Sequence, residues 1–132
     1  MKVVLDTNVL VSAFIARGAC SEVFERVITE HQLIVSPWIL DELERVLVKK
    51  LAMDPGRCGR LMELVRRSGE LVDPPPLSLP VCRDSDDDNV LALALTSAAE
   101  CLITGDDDLL VLETFEEIPI ILPREFLSRS SR

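Results

Sequence analysis

Aromatic side chains make up only 4% of the 132 residues, and tyrosine is absent. The core must therefore be built from Leu, Val, Ile and Ala. His31 is the single histidine, so imidazole acid–base chemistry at neutral pH has almost nothing to draw on. Cys20, Cys58, Cys82 and Cys101 are scattered with no Cys-x-x-Cys pair, which excludes the usual zinc frameworks. They are read as buried free thiols in a reducing cytosol, because a chain this long and this apolar does not need disulfides. There is no Gly-rich phosphate loop and no Ser–His pair. Asp6 and Asn8 interrupt the apolar N-terminus, and Lys2 alone is a weak positive region, so neither a signal peptide nor a membrane span is expected. The expected location is the cytoplasm, with no membrane partner.

The hydrophobic fraction of 48% and the charged fraction of 28% describe one compact domain. We place it over residues 1–128, with a frayed tail over 129–132. A net charge of −9 argues against non-specific nucleic-acid binding by bulk electrostatics. The distribution qualifies that. Between Arg45 and Arg67 lie seven basic residues and only two acids, Asp54 and Glu63. A basic segment facing an acidic one suits an enzyme acting on phosphates, although a solvated helix pair explains it equally well.

Apolar runs alternate with helix-start signals along the chain. Lys2–Leu5 predicts a strand, and Val9–Ala16 a helix capped by Thr7 or Asn8. Ser21 is placed to cap a second helix, and Leu33–Val35 reads as a second strand. Ser36-Pro37 and Asp54-Pro55 each combine an N-cap with proline at the first helical position. Glu70–Val72 suggests an edge strand, and Pro74-Pro75-Pro76 a stiff connection. A helix from about Asn89 to Ala99 is opened by Asp88 or a neighbour. Cys101–Ile103 and Ile118–Leu122 complete five expected strands, with a short helix over Leu109–Leu112 and a terminal helical turn over Pro123–Leu127. Short, uniformly apolar strands separated by helices predict an α/β domain whose parallel sheet is covered on both faces.

Carboxylates gather where these elements end: Asp6, the run Asp84-Ser85-Asp86-Asp87-Asp88, and Asp106-Asp107-Asp108. Ligands in parallel sheets bind at the carboxyl ends of strands, where Asp6 and Asp106 fall. Clustered like charges raise each other's pKa unless a cation neutralises them. The middle run is not an EF-hand, since Asn89 stands where glycine is needed and Leu95 where the bidentate Glu belongs. A haloacid-dehalogenase-type phosphatase would want an acid at Asn8. Hard oxygen ligands without histidine suit Mg²⁺ or Mn²⁺, which polarise water and neutralise phosphate charge in phosphodiester hydrolysis.

Four segments, Val3-Val4-Leu5-Asp6-Thr7-Asn8-Val9-Leu10, Val35-Ser36-Pro37 with Leu40-Asp41-Glu42-Leu43, Arg83-Asp84-Ser85-Asp86-Asp87-Asp88 and Ile103-Thr104-Gly105-Asp106, together resemble the PIN-domain ribonucleases. The likeness is greatest to the branch of toxins from toxin–antitoxin systems. It implies a three-layer α/β/α sandwich with a mainly parallel five-stranded sheet. Carried over motif by motif, it implies Asp6, Glu42, Asp88 and Asp106 as the catalytic acids, with Asp6, Asp88 and Asp106 holding Mg²⁺ or Mn²⁺. Asn8, Thr104 and Asp108 would support them. Helical periodicity alone does not choose between Glu42 and Glu44, and Asp84, Asp86 or Asp87 could share the role given to Asp88.

The resemblance implies an endoribonuclease acting on single-stranded RNA, with Arg45, Lys49, Arg57 and Arg60 guiding the backbone. It also implies an antitoxin protein partner and a homo-oligomer, most simply a dimer. The alternative is a non-catalytic PIN-fold module that binds RNA or protein, against which stand acids at all four motif positions. A structure-specific DNA nuclease is disfavoured because the chain lacks the length used to thread DNA.

Overall fold

In a computed structural model of the chain, which describes residues 1–130, a six-stranded sheet runs in the order β3-β2-β1-β4-β6-β5. The strands are β1 (Lys2–Leu5), β2 (Gln32–Val35), β3 (Gly69–Leu71), β4 (Cys101–Ile103), β5 (Thr114–Phe115) and β6 (Ile118–Ile121). All neighbours are parallel except the β5–β6 pair, which is an antiparallel hairpin. The expected α/β architecture with a mainly parallel sheet is present. The sixth strand is β5, two residues long and too short to leave a pattern in the sequence.

The helices are α1 (Thr7–Ile15), α2 (Ala19–Glu30), α3 (Pro37–Arg45), α4 (Pro55–Ser68), α5 (Ser85–Ser97), α6 (Asp107–Leu110) and α7 (Pro123–Ser130). A single π-helical turn, Val46–Lys50, prolongs α3. Two helix starts follow the sequence closely: the Ser36 hydroxyl accepts from the Ile39 N–H at 3.1 Å, and the Asp54 carboxylate from the Arg57 N–H at 3.1 Å. Others differ. Asp6 itself caps α1, its carboxylate accepting from the Thr7 N–H, so Thr7 is already helical. Gly18, not Ser21, precedes α2. The helix expected from Asn89 begins four residues earlier, because Asp84 supplies the cap. The terminal helix extends through Arg129, which pairs with Glu125 at 2.8 Å, to Ser130; the remainder of the expected tail lies outside the described residues.

Strands β1 and β4 are neighbours at the centre, and chain connections leave them in opposite directions, β1 toward β2 and β3, β4 toward β6 and β5. Such a reversal of strand order opens a crevice at the carboxyl ends of the two strands. The core beneath it is aliphatic: Val3, Val4, Leu10, Ile34, Leu43, Leu91, Leu93 and Leu102 are fully buried. Helix α5 is buried along most of its length, which explains its nearly uniform apolar composition. None of the four cysteines forms a disulfide; Cys58 and Cys101 are buried, whereas Cys20 and Cys82 are half-buried. Among the described residues, no helix is long and apolar enough to cross a membrane.

Candidate active site

The central crevice is lined by the residues that end β1 and β4. Asp6 follows β1 directly, and its N–H donates to the Ile103 carbonyl at 3.0 Å, which fixes it beside the end of β4. The residue is 6% exposed. One carboxylate oxygen accepts from the Thr7 N–H and the other from the Thr104 hydroxyl, both at 2.8 Å. Burial pushes the Asp6 carboxyl above the usual carboxylate range; the two hydrogen bonds offset part of that, and the charge of Asp106 adds to it. Thr104, wholly buried, also accepts from the Asp106 N–H at 3.0 Å, so one hydroxyl ties the two acids to a common frame. Asp106 then caps α6, accepting from the Asp108 N–H at 2.9 Å.

The middle acidic run approaches from α5, where the sequence preferred Asp88 and left Asp84, Asp86 and Asp87 open. Successive residues on a helix diverge by about 100°, so Asp86, Asp87 and Asp88 fan into three directions. Asp88 turns away from the crevice: its carboxylate accepts from the Cys82 N–H at 2.9 Å and from the Val81 N–H at 3.2 Å, pinning the loop before α5. Asp87 is the member of the run that lies against Asp106 and Asp108. It is 7% exposed, with a carboxylate oxygen within 4.8 Å of one on Asp106. Its pKa is pushed up to about 7, chiefly by burial, then by the charge of and hydrogen bond to Asp106 and by the charge of Asp6. Asp87, Val90, Leu91 and Ala94 form one buried stripe along α5.

Asp86 faces α3. Its carboxyl is raised by burial and by the nearby charges of Asp84 and Glu42. Glu42 is therefore close to the acidic crevice, whereas Glu44 is exposed and exerts its charge on Cys58 of α4. The two glutamates thus face different neighbours, Glu42 toward α5 and Glu44 toward α4. Arg45 grips Glu42 through both carboxylate oxygens, at 2.5 and 3.2 Å, and holds its pKa below the usual range. On the other side of α5, Arg83 donates to Asp108 at 2.7 Å from an exposed arm.

The remaining expected residues are spread more widely. Asn8 is exposed on the first turn of α1. Lys49 is exposed on the π-helical turn, and Arg60 on α4. Arg57 donates to the Phe14 carbonyl in the last turn of α1 at 3.0 Å, roughly 10 Å along that helix from the Asp6 end. Of the basic residues named, only Arg45 touches one of the expected acids.

Carboxylate oxygens of Asp87, Asp106 and Asp108 lie within 4.8 Å of one another. A set of hard oxygen donors, with one carboxyl driven to hold a proton near neutrality, fits a divalent cation such as Mg²⁺ or Mn²⁺. Asp108, expected as a supporting group, lies within this cluster.

A family model described as the PIN domain matches residues 2–108. The chain belongs to the PIN-domain family. A relative, the uncharacterized protein MJ1680 of Methanocaldococcus jannaschii, is 34% identical over 117 residues, covering 85% of this chain and 75% of that protein. PAE2754 from Pyrobaculum aerophilum shares the fold with a TM-score of 0.69 at 17% identity, over 100% of this chain and 91% of that one. VapBC2 from Rickettsia felis, solved bound to a DNA fragment from its promoter, matches with a TM-score of 0.65 at 14% identity, over 92% of this chain and 98% of that one. At these identities the two solved structures speak for the PIN fold alone.

Proposed function

We propose that this PIN domain is a metal-dependent endoribonuclease that hydrolyses phosphodiester bonds of single-stranded RNA and acts as the toxin of a toxin–antitoxin pair. The observation that carries the reading is the convergence of Asp87, Asp106 and Asp108 within 4.8 Å at the mouth of the central crevice, with Asp6 joined to Asp106 through Thr104. Asp87, Asp106 and Asp108 would hold Mg²⁺ or Mn²⁺, with Asp6 behind them. The bound ion would activate water and stabilise the charge that develops on the phosphate. Thr104 fixes the orientation of Asp6. Glu42, kept ionised by Arg45, suits orienting water better than accepting its proton, because a lowered pKa makes a weak base. Arg45, with Lys49, Arg57 and Arg60 further out, supplies positive charge for the RNA backbone.

The toxin role rests on family membership together with the VapBC2 likeness, and carries with it an antitoxin partner, a homodimer and a cytoplasmic setting. The test is cleavage of end-labelled single-stranded RNA by chelator-treated protein with Mg²⁺ or Mn²⁺ restored, and Asp87→Asn purified in parallel. Metal-dependent cutting by the wild type alone supports the reading. Equal cutting by both proteins refutes the site, and no cutting by either returns the chain to the binding-module alternative.

A further inference from the structure

A second recess adjoins the acids. It encloses about 180 Å³ between Trp38 on α3, Asn89 on α5, and the segment Asp73-Pro74-Pro75-Pro76. This is below the ~300 Å³ at which drug-sized pockets begin, and leaves room for one planar ring system. Its position relative to the acids follows from the backbone. Trp38 and Glu42 stand four residues apart on α3, and Asp86 and Asn89 three apart on α5; both spacings place side chains on one helix face, a single turn apart. Glu42 exerts its charge on Asp86, and Trp38 and Asn89, which line one recess, form the next pair along the same seam. Strand register agrees: β1 and β2 pair Val4 with Ile34, which two residues on brings Asp6 alongside Ser36 in the wall of the recess, about one strand spacing away.

We infer that this recess is a nucleobase subsite, which holds a base of single-stranded RNA on Trp38 while the adjoining phosphate lies over the acids. The inference rests on the nuclease reading for its substrate and adds the recognition of a base. Trp38 is half-buried and fixed against the core, so its ring is a rigid stacking surface. The triproline forms a wall with little conformational freedom to lose. Among the described residues, Asn89 and Asp73 find no side-chain hydrogen-bond partner, and Asp73 is exposed. An amide donates and accepts, whereas a carboxylate only accepts. Asp73 therefore favours bases that offer N–H groups, guanine most of all because it presents two adjacent donors on its Watson–Crick edge.

The chain has one tryptophan, so its fluorescence reports this site without any cleavage. The experiment titrates chelator-treated protein with guanosine, adenosine, cytidine and uridine, which carry no phosphate to meet the metal-free acids, and measures KM for RNA in the variants Trp38→Phe, Asp73→Asn and Trp38→Ala. Saturable quenching, tightest with guanosine, is expected. Trp38→Ala should raise KM by roughly 5- to 150-fold, the loss of one base–aromatic stack, and Trp38→Phe should recover part of it. Asp73→Asn should erase the preference for guanine while the fold and the tryptophan signal remain. Quenching without cleavage would keep the subsite and remove the nuclease reading. Cleavage with no quenching and with KM unchanged in Trp38→Ala would do the reverse.

Discussion

The Thr104 hydroxyl donates to Asp6 at 2.8 Å across 98 residues of sequence. Both groups are buried, so neither has water as a substitute. We predict that Thr104→Val costs about 2–3 kcal/mol in urea unfolding, because a buried carboxylate and the Asp106 N–H each lose their partner. Thr104→Ser, which keeps the oxygen, should cost less than half as much. Equal losses would mean that the methyl group, not the hydroxyl, carries the stability.

Asp87→Asn and Asp88→Asn separate two adjacent carboxylates by role. Without metal, Asp87→Asn should leave the protein as stable or more so, since it removes a charge crowded by Asp106 and Asp6. It should also abolish the rise in Tm produced by Mg²⁺ or Mn²⁺. Asp88→Asn should retain most of that rise while loosening the loop at Val81 and Cys82. Thermal melts of both variants with and without metal decide the matter; loss of the shift only in the Asp88 variant would reverse the assignment.

The raised pKa of Asp87 sets a pH dependence for the metal-free protein. Its folded pKa of about 7 lies above the unfolded value of 3.8. Between those values the folded state binds more protons than the unfolded one, so stability declines as pH rises from about 4 to 7. The group's full destabilisation is present above pH 7. In chelator, unfolding midpoints should therefore be higher at pH 5.5 than at pH 8, after subtraction of the same difference measured in Asp87→Asn. Saturating Mg²⁺ should flatten the wild-type profile.

The β5–β6 hairpin turns through Glu116 and Glu117, with φ of 49° and 70°. Two positive φ values are the mark of the tight hairpin turn that normally uses Asn-Gly. Left-handed conformations cost β-carbon residues about 1–2 kcal/mol each. Replacing the pair by Asn-Gly should stabilise the protein by about 1–2 kcal/mol, or roughly 3–6 °C in Tm, with no effect at the distant acids. A drop in Tm would mean that the glutamates make up the strain elsewhere.

That same turn explains why one strand was not legible in the sequence. A Glu-Glu pair carries none of the glycine or asparagine signal that announces a hairpin, and two residues of strand leave no alternation to read. By contrast, Ser36-Pro37 and Asp54-Pro55 state their helix starts locally, and both hold. The parallel core strands were legible because burial on both faces makes them continuously apolar. Asp6 and Asp106 followed from their place directly after such strands. Which carboxylate of the middle run turns inward was not legible, since Asp87 and Asp88 are both followed by apolar residues three and four positions on, and the exposure of Leu95 is a property of the packed helix. Glu42 was separable from Glu44 only by what each side chain faces, and that is a property of α3 packed in place.

Because β1 lies between β2 and β4, the acids that meet at the crevice come from stretches of chain a hundred positions apart, Asp6 after β1 and Asp106 after β4. In synthesis Asp6 is made well before the α5 acids, and Asp106 after them. The acid set therefore comes together only once β4 has paired with β1, and no nascent piece that lacks β4 holds it.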